Sequence, residues 1–414
     1  MKDSAASWRR VELQDVAQIR SGLAKNSKRR TGRFFPYLRV ANVRDGELDL
    51  SEVKLIEVEP GGEDRYLLYP GDVLLTEGNG NPELVGRGCV WSGQIERCLH
   101  QNHIFAVRPN TALVDPAFLA HVTSSSRARS YFLACTKGST TLSSINATQL
   151  RCLPLLLPPL SEQRRISDAI GSWEVVERKL KALVSAKDGF QGRLRERLFA
   201  RAMRLVEDEG SWSRVRLADV AYESRTRNAG YLDSTRVMGV SKVNGMEPMR
   251  ERSIAADISR YKTVGPGSFA YNPMRLNIGS IAFWPGPGNV LVSPDYVVFG
   301  TDESRLSGRY LNHFRLTRAW QRHVDTTGAG SVRVRIYYEQ LAAITMSLPP
   351  LEIQSRIVDL LDLVDREIRL LTRISGLLTR QRKAVTDALL AGDLHITPDN
   401  HLTRSDVHDH ATTS

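Results

Sequence analysis

The chain has 414 residues, 41% hydrophobic and 25% charged, and its 57 Lys and Arg against 46 Asp and Glu give a formal charge of +11. That length exceeds what one hydrophobic core usually spans, and the composition excludes an intrinsically disordered chain. No apolar run approaches the roughly 20 residues of a membrane helix, and an N-terminus charged at Lys2, Asp3, Arg9 and Arg10 lacks the apolar core of a signal peptide.

In chain order, the first readable segment is Trp8, Arg10, Val11, Leu13, Asp15, Val16 and Ala17, followed by a dense basic run at Lys25, Lys28, Arg29, Arg30 and Arg33. Residues 35–43, 71–76, 88–91 and 103–107 are short, rich in β-branched or aromatic side chains and bounded by Gly, Pro or Asn, which predicts strands. A helical pattern covers residues 118–122. Leu157-Pro158-Pro159-Leu160, with Gln163, Arg165 and Ile166 behind it, then closes the first part. Proline cannot continue a ladder or a helix interior, so the pair is a stiff joint, and Ser161 and Glu162 suit the start of a helix. Ile166, Ile170, Trp173, Val176, Leu180, Leu183, Phe190, Leu194 and Leu198 recur mostly at three- and four-residue steps. A helix over residues 161–203 would run roughly 60 Å.

The second half repeats the first. Trp212, Arg214, Val215, Leu217, Asp219, Val220 and Ala221 restate the opening 204 positions later. Strands are predicted at 237–243, 267–271, 280–284 and 296–299, and a helix at 310–319. Asp45-Gly46 and Asn244-Gly245 supply turn chemistry at matching places. Leu348-Pro349-Pro350-Leu351, Gln354, Arg356 and Ile357 return 191 positions after the first joint, followed by Ile357, Leu361, Val364, Ile368, Leu371, Leu378, Val385 and Leu389 as a second apolar seam. The expectation is an α+β chain in which two mixed domains alternate with two long helices, which bury their stripes against each other as an antiparallel coiled coil. The segments are 1–157, 158–203, 204–348, 349–393 and a disordered tail, 394–414. Cys89, Cys98, Cys135 and Cys152 form no C-x-x-C pair, in keeping with a reduced, soluble, unexported, cytoplasmic chain. The positive excess sits mainly in the two globular parts, which suits a long polyanion, although a generally arginine-rich composition gives the same count.

The doubled L-P-P-L-x-x-Q-x-R-I signature, the helix after each copy and the repeated W-x-x-V-x-L-x-D-V-A opening resemble the DNA-specificity (S) subunits of type I restriction-modification systems. The stretches YLRVANVRDG from Tyr37 to Gly46 and YNPMRLNIGSI from Tyr271 to Ile281 also resemble target-recognition domains of that family. The resemblance covers the chain to about Gly392. It implies a pseudo-twofold tandem repeat of two target-recognition domains on double-stranded DNA, with the helices as spacer and as dock for two methyltransferase subunits. Restriction and translocase subunits would join the full complex. It implies no catalysis and no cofactor in this chain: S-adenosylmethionine, ATP and magnesium would belong to partners that methylate adenine N6 and cut DNA. A free-standing DNA-binding regulator or a coiled-coil scaffold is the alternative.

Candidate DNA contacts are the basic run Lys25, Lys28, Arg29, Arg30 and Arg33, suited to phosphates. Arg39 and Asn42 suit guanine and adenine edges, and Arg275 and Asn277 are their candidates in the second domain. Lys137, Ser139 and Thr140 before the first joint, and Thr327, Arg333 and Arg335 before the second, form polar loops at equivalent places. Any one of these is equally readable as an exposed structural residue. Asn272-Pro273-Met274-Arg275 lacks the second proline and the aromatic of a methyltransferase loop. Asp45 or Asp49 with Glu52 and Lys54 has magnesium-nuclease spacing that surface charges reproduce by chance. Gly78-Asn79-Gly80-Asn81 is a plain turn before it is a phosphate cradle, and Asp406, His408, Asp409 and His410 lie in a polar tail without a framework for metal.

Overall fold

The computed structural model describes residues 8–24, 32–59, 61–136, 143–200, 212–242, 244–327, 335–397 and the strand at 402–404. The chain divides into two compact units, one of Met1–Lys179 with Ser375–Ser414 and one of Leu180–Ile374.

In the first unit, strands Ala17–Ser21, Ile104–Pro109, Val73–Thr76 and Gly88–Val90 lie side by side in that order, all antiparallel. Successive side chains of a strand point to opposite faces. Val73 and Leu75 enter a core with Phe105, Val107, Phe118 and Phe132, whereas Leu74 enters a second cluster with Leu38, Trp91 and Ala106. Both faces are covered, which is why this strand reads as an unbroken apolar run. In the second unit, Ala221–Ser224, Val297–Thr301, Phe269–Tyr271 and Ile281–Phe283 take the same order. Phe269 and Phe299 stack at 4.9 Å in its main core, and Ala270 and Val298 serve the opposite face.

The recurring sequence motifs are partners in space. Arg9–Glu12 pairs antiparallel with Pro154–Leu157, and Ser213–Arg216 with Thr345–Leu348, so each opening motif is zipped to the strand that ends in its Pro-Pro joint. The glutamine of each joint is fully buried. Gln163 Nε2 donates to the carbonyls of Pro158 and Leu113 at 2.8 and 3.1 Å while its Oε1 accepts from Asp115 N at 2.8 Å. Gln354 repeats the set with Pro349, Arg305 and Ser307 at 2.9, 2.7 and 2.9 Å. Leucine at either position would leave three buried backbone groups without partners, each costing about 1–3 kcal/mol. We expect Gln163→Leu and Gln354→Leu each to lower the melting temperature of their own unit by about 10 °C, read by thermal denaturation with hydrogen exchange to identify the unit.

The two long helices span Leu160–Phe199 and Leu351–Ala391. In the first unit Ile166, Ile170, Leu389 and Leu390 share one core, Arg382 Nε donates to Glu177 at 2.9 Å, and Asp387 accepts from Ser126 N at 2.9 Å. In the second unit Leu198, Ile357 and Leu361 share a core, Lys187 pairs with Glu367 at 2.7 Å, and Glu196 accepts from Arg318 N at 2.7 Å. Within each unit the helix segments run in opposite directions: Ile166 and Ile170 share a core with Leu389 and Leu390 and Glu177 meets Arg382, as Lys187 meets Glu367 and Gln191 meets Asp365. The seam predicted for the first helix is not wholly covered, since Val176, Leu183 and Phe190 are exposed; on the second helix Leu363, Leu370, Ile374 and Leu377, which lie off the predicted seam, are exposed as well.

Several expectations need correction. The strand predicted over 35–43 stops at Leu38, and Val40–Asn42 forms a 3-10 turn, because the Asn42 side chain draws the backbone into a loop. The helix predicted over 310–319 is two, Gly308–Phe314 and Arg318–Thr327: the Thr317 hydroxyl donates to Phe314 O at 2.7 Å, and Glu196 caps the second. The tail is not disordered from its start. Leu394–Ile396 is a strand paired with Leu402–Arg404, His395 Nδ1 lies 2.9 Å from Glu162, and Ile396 is buried in the core of the first unit. The turn glycines behave as predicted, Gly46 at φ 77° and Gly245 at φ 74°. All four cysteines are free, and burial pushes the Cys89 and Cys98 thiols up to about 12.

Candidate nucleic-acid interface

In each unit the connection out of the third strand of the sheet meets a segment shortly before the joint, residues 143–145 in the first and 335–336 in the second. In the first unit Gly78–Asn79 pairs with Ser143–Ser144, and Ile145 N donates to Glu77 O at 2.9 Å. A Cβ at Gly78 would lie 3.0 Å from Ser143 O, so glycine permits this approach. Asn79 Oδ1 accepts from Asn81 N at 2.9 Å and Asn81 Oδ1 from Glu83 N at 3.1 Å, which fixes the loop from within. His103 is exposed at its edge, with Nδ1 2.9 Å from the Glu77 carboxylate. In the second unit the connection is residues 272–280, and Ile336 N donates to Pro273 O at 3.0 Å, bringing Arg335 to the same place.

The predicted residues divide accordingly. Arg275 and Asn277 are exposed in one turn and exposed Arg335 adjoins it, whereas Thr327 is half-buried at the end of its helix. Arg33 is exposed at the start of the strand Arg33–Leu38. Lys25, Lys28, Arg29, Arg30, Lys137, Ser139, Thr140 and Arg333 lie outside the described residues, as do Asp406, His408, Asp409 and His410. Arg39 is mostly covered and pairs with Glu52 at 2.9 Å. Asn42 must be corrected as a base reader. It is 3% exposed, donates through Nδ2 to Asp49 O and Glu52 O at 2.8 and 2.9 Å and accepts from Arg39 N, so both of its N–H bonds serve the fold.

The enzymatic alternatives find no open site in these residues. Asp49 accepts from Ser51 N and Oγ and pairs with Arg44, and the Ser51 bonds first, then Arg44, hold its carboxyl down at about 2. Glu52 is matched by Arg39 and Lys54, so these acids carry their own cations. Asn272 Oδ1 accepts from Met274 N at 2.9 Å, a turn-forming bond. Among the described residues one histidine-carboxylate cluster has ligand-like spacing, His313 with Asp362 and Asp365, and Arg309 and Gln191 already bond its two carboxylates.

Two features have only faint sequence signals. Met274 and Ile278, 49% and 58% exposed, flank Arg275 and Asn277, and nothing in the sequence separates them from the buried Leu276. Tyr231 is 88% exposed on a turn with Ala229 at φ 46° and Gly230 at φ 88°, beside Arg227, which donates to Arg260 O at 2.9 Å. Only the Ala-Gly step before it marks a turn.

A family model described as "Type I restriction modification DNA specificity domain" matches residues 6–180 and 277–380. The chain is 22% identical to a Methanocaldococcus jannaschii protein assigned as the type I restriction enzyme MjaX specificity subunit, over 94% of each. It is 26% identical to the EcoKI specificity subunit of Escherichia coli over 40% of this chain and 36% of that protein. In fold it is similar to a chain from a structure concerned with complex assembly and conformational transition of the type I R-M system, with TM-score 0.56 and 20% identity over 94% of this chain and 99% of that one. The type I S subunit from M. genitalium gives TM-score 0.52 and 11% identity over 94% and 98%.

Proposed function

The chain belongs to the type I restriction modification DNA specificity domain family, and from that premise we propose that it addresses a methyltransferase, and through it a restriction nuclease, to a bipartite DNA site. One observation carries the reading: two units of the same strand order each carry their own polar connection and their own stiff Pro-Pro joint. Two diverged readers suit a site with two unequal halves, where identical readers would favour a palindrome.

The long helices act as an antiparallel coiled-coil spacer and as the dock for two methyltransferase subunits. Contiguous apolar surface left on a helix is a liability unless a partner covers it, and Leu363, Leu370, Ile374 and Leu377 leave such a stripe on the second helix while Val176, Leu183 and Phe190 do so on the first. The chemistry lies with the partners, which bind S-adenosylmethionine, ATP and magnesium. This chain supplies the address, and the setting is the cytoplasm, where the genome is.

The test is reconstitution. The purified chain with S-adenosylmethionine, ATP, magnesium and plasmid DNA should give no methyl transfer and no cleavage. Addition of its cognate methyltransferase should place N6-methyladenine at one bipartite motif, read by single-molecule sequencing. Methyl transfer by the chain alone, or a complex that methylates without a motif, would overturn the assignment.

A further inference from the structure

We propose that the turn at residues 273–279 is the base-reading tip of the second unit, and that Met274 and Ile278 read the C5-methyl groups of thymines there, beside Arg275 and Asn277. This rests on the DNA-reading function proposed above. The turn is held in one shape from beneath. Arg275 N donates to Asn272 O at 3.0 Å, Ser280 N to Arg275 O at 3.0 Å and Gly279 N to Leu276 O at 2.9 Å. Leu276 is 3% exposed and anchors the turn in the core, and Gly279 sits at φ 89° with its would-be Cβ 3.2 Å from the Lys242 stem. The backbone is thus spent on itself, while four side chains of this short segment face solvent.

Their chemistry is mixed in an informative way. Among the described residues, Arg275 and Asn277 make no side-chain hydrogen bond, so one guanidinium and one carboxamide are free for the guanine and adenine edges of the major groove. Two bare apolar side chains in the same turn match the one apolar feature of that groove, the thymine methyl. The exposed Lys242 adds positive charge beside the tip, which suits a nearby phosphate. The first unit's connection, residues 77–87, carries no exposed apolar pair, its Leu84 being half-buried and its Val85 fully buried, so the methyl-reading device belongs to one half-site.

The experiment uses the full chain assembled with its methyltransferase on a duplex carrying the mapped motif. Each thymine in turn is replaced by deoxyuridine, which removes the methyl and keeps the pairing. Burial of one methyl predicts a drop in methylation rate of about fourfold at one or more thymines of the second half-site. That sensitivity should vanish in Met274→Ala or Ile278→Ala. Both side chains are exposed, so the variants should melt with the parent, and thymines of the first half-site should respond equally in all three proteins. The proposal fails if every second-half thymine tolerates uracil, if both variants keep the parent's sensitivity, or if that half-site holds no A·T pair. It fails equally if either variant instead loses the methyltransferase, which would mark a protein contact. In each of these cases bipartite methylation by the parent leaves the wider function standing, whereas its absence overturns the function itself.

Discussion

Deletion of residues 375–414 should unfold the first unit and spare the second. The deleted stretch carries Leu389, Leu390 and Ile396 in the core of the first unit, with Val385 and Leu394 packed beside them. It also carries Asp387, which accepts from the backbone of Ser126 at the head of a helix, and Arg382, the partner of the almost fully buried Glu177 carboxylate. Losing one buried Leu or Ile side chain costs about 2–5 kcal/mol. Three such losses match or exceed the roughly 5–15 kcal/mol that stabilises a typical domain, before the unpaired carboxylate is counted. The second unit, Leu180–Ile374, loses no residue of its own. Hydrogen exchange followed by mass spectrometry should find the amides of Val73–Thr76 and Ile104–Pro109 unprotected and those of Phe269–Tyr271 and Val297–Thr301 still slow. Uniform protection across both sheets would contradict the shared core.

Exchange of residues 1–157 for the corresponding stretch of a relative with another specificity should change one half of the methylated motif completely and leave the other half and the spacing intact. The two sheets close separate cores, and the joint glutamines tie each body to its own helix. The graft must keep what the retained helices expect, chiefly Trp8, Leu155 and Leu157 against Leu389 and Ile396, and Ser126 opposite Asp387. Methylome sequencing of a strain carrying the chimera reads the result. A change in both halves would show that the units do not read independently.

The recurring motifs were legible because their most regular part is their most constrained. A buried glutamine with three backbone partners tolerates no substitute of equal geometry, so Gln163 and Gln354 stand out 191 residues apart. The strands Val73–Thr76 and Phe269–Tyr271 were readable from composition, since burial on both faces leaves an apolar run. The strand Leu394–Ile396 was missed because three residues carry too little pattern, and its burial depends on a core whose other members lie far away in sequence. Candidate contacts were harder. A polar side chain serving the fold and one serving DNA share a composition, and only the bonds of Asn42 separate it from Asn277. Met274 and Ile278 went unnoticed because exposed and buried apolar side chains look alike in sequence, and only exposure separates them from Leu276.

The split of the first unit across the chain ends also orders events during synthesis. The second unit is one continuous stretch, so it can close its core once residue 374 has left the ribosome. The first unit is begun earlier but completed later: its Ser126 cap waits for Asp387, 261 positions on. Long sequence separation slows the search for such contacts. Until they form, the nascent first unit holds the apolar face of Ile166 and Ile170 without its C-terminal cover, the interval in which a chaperone or a premature partner would find it.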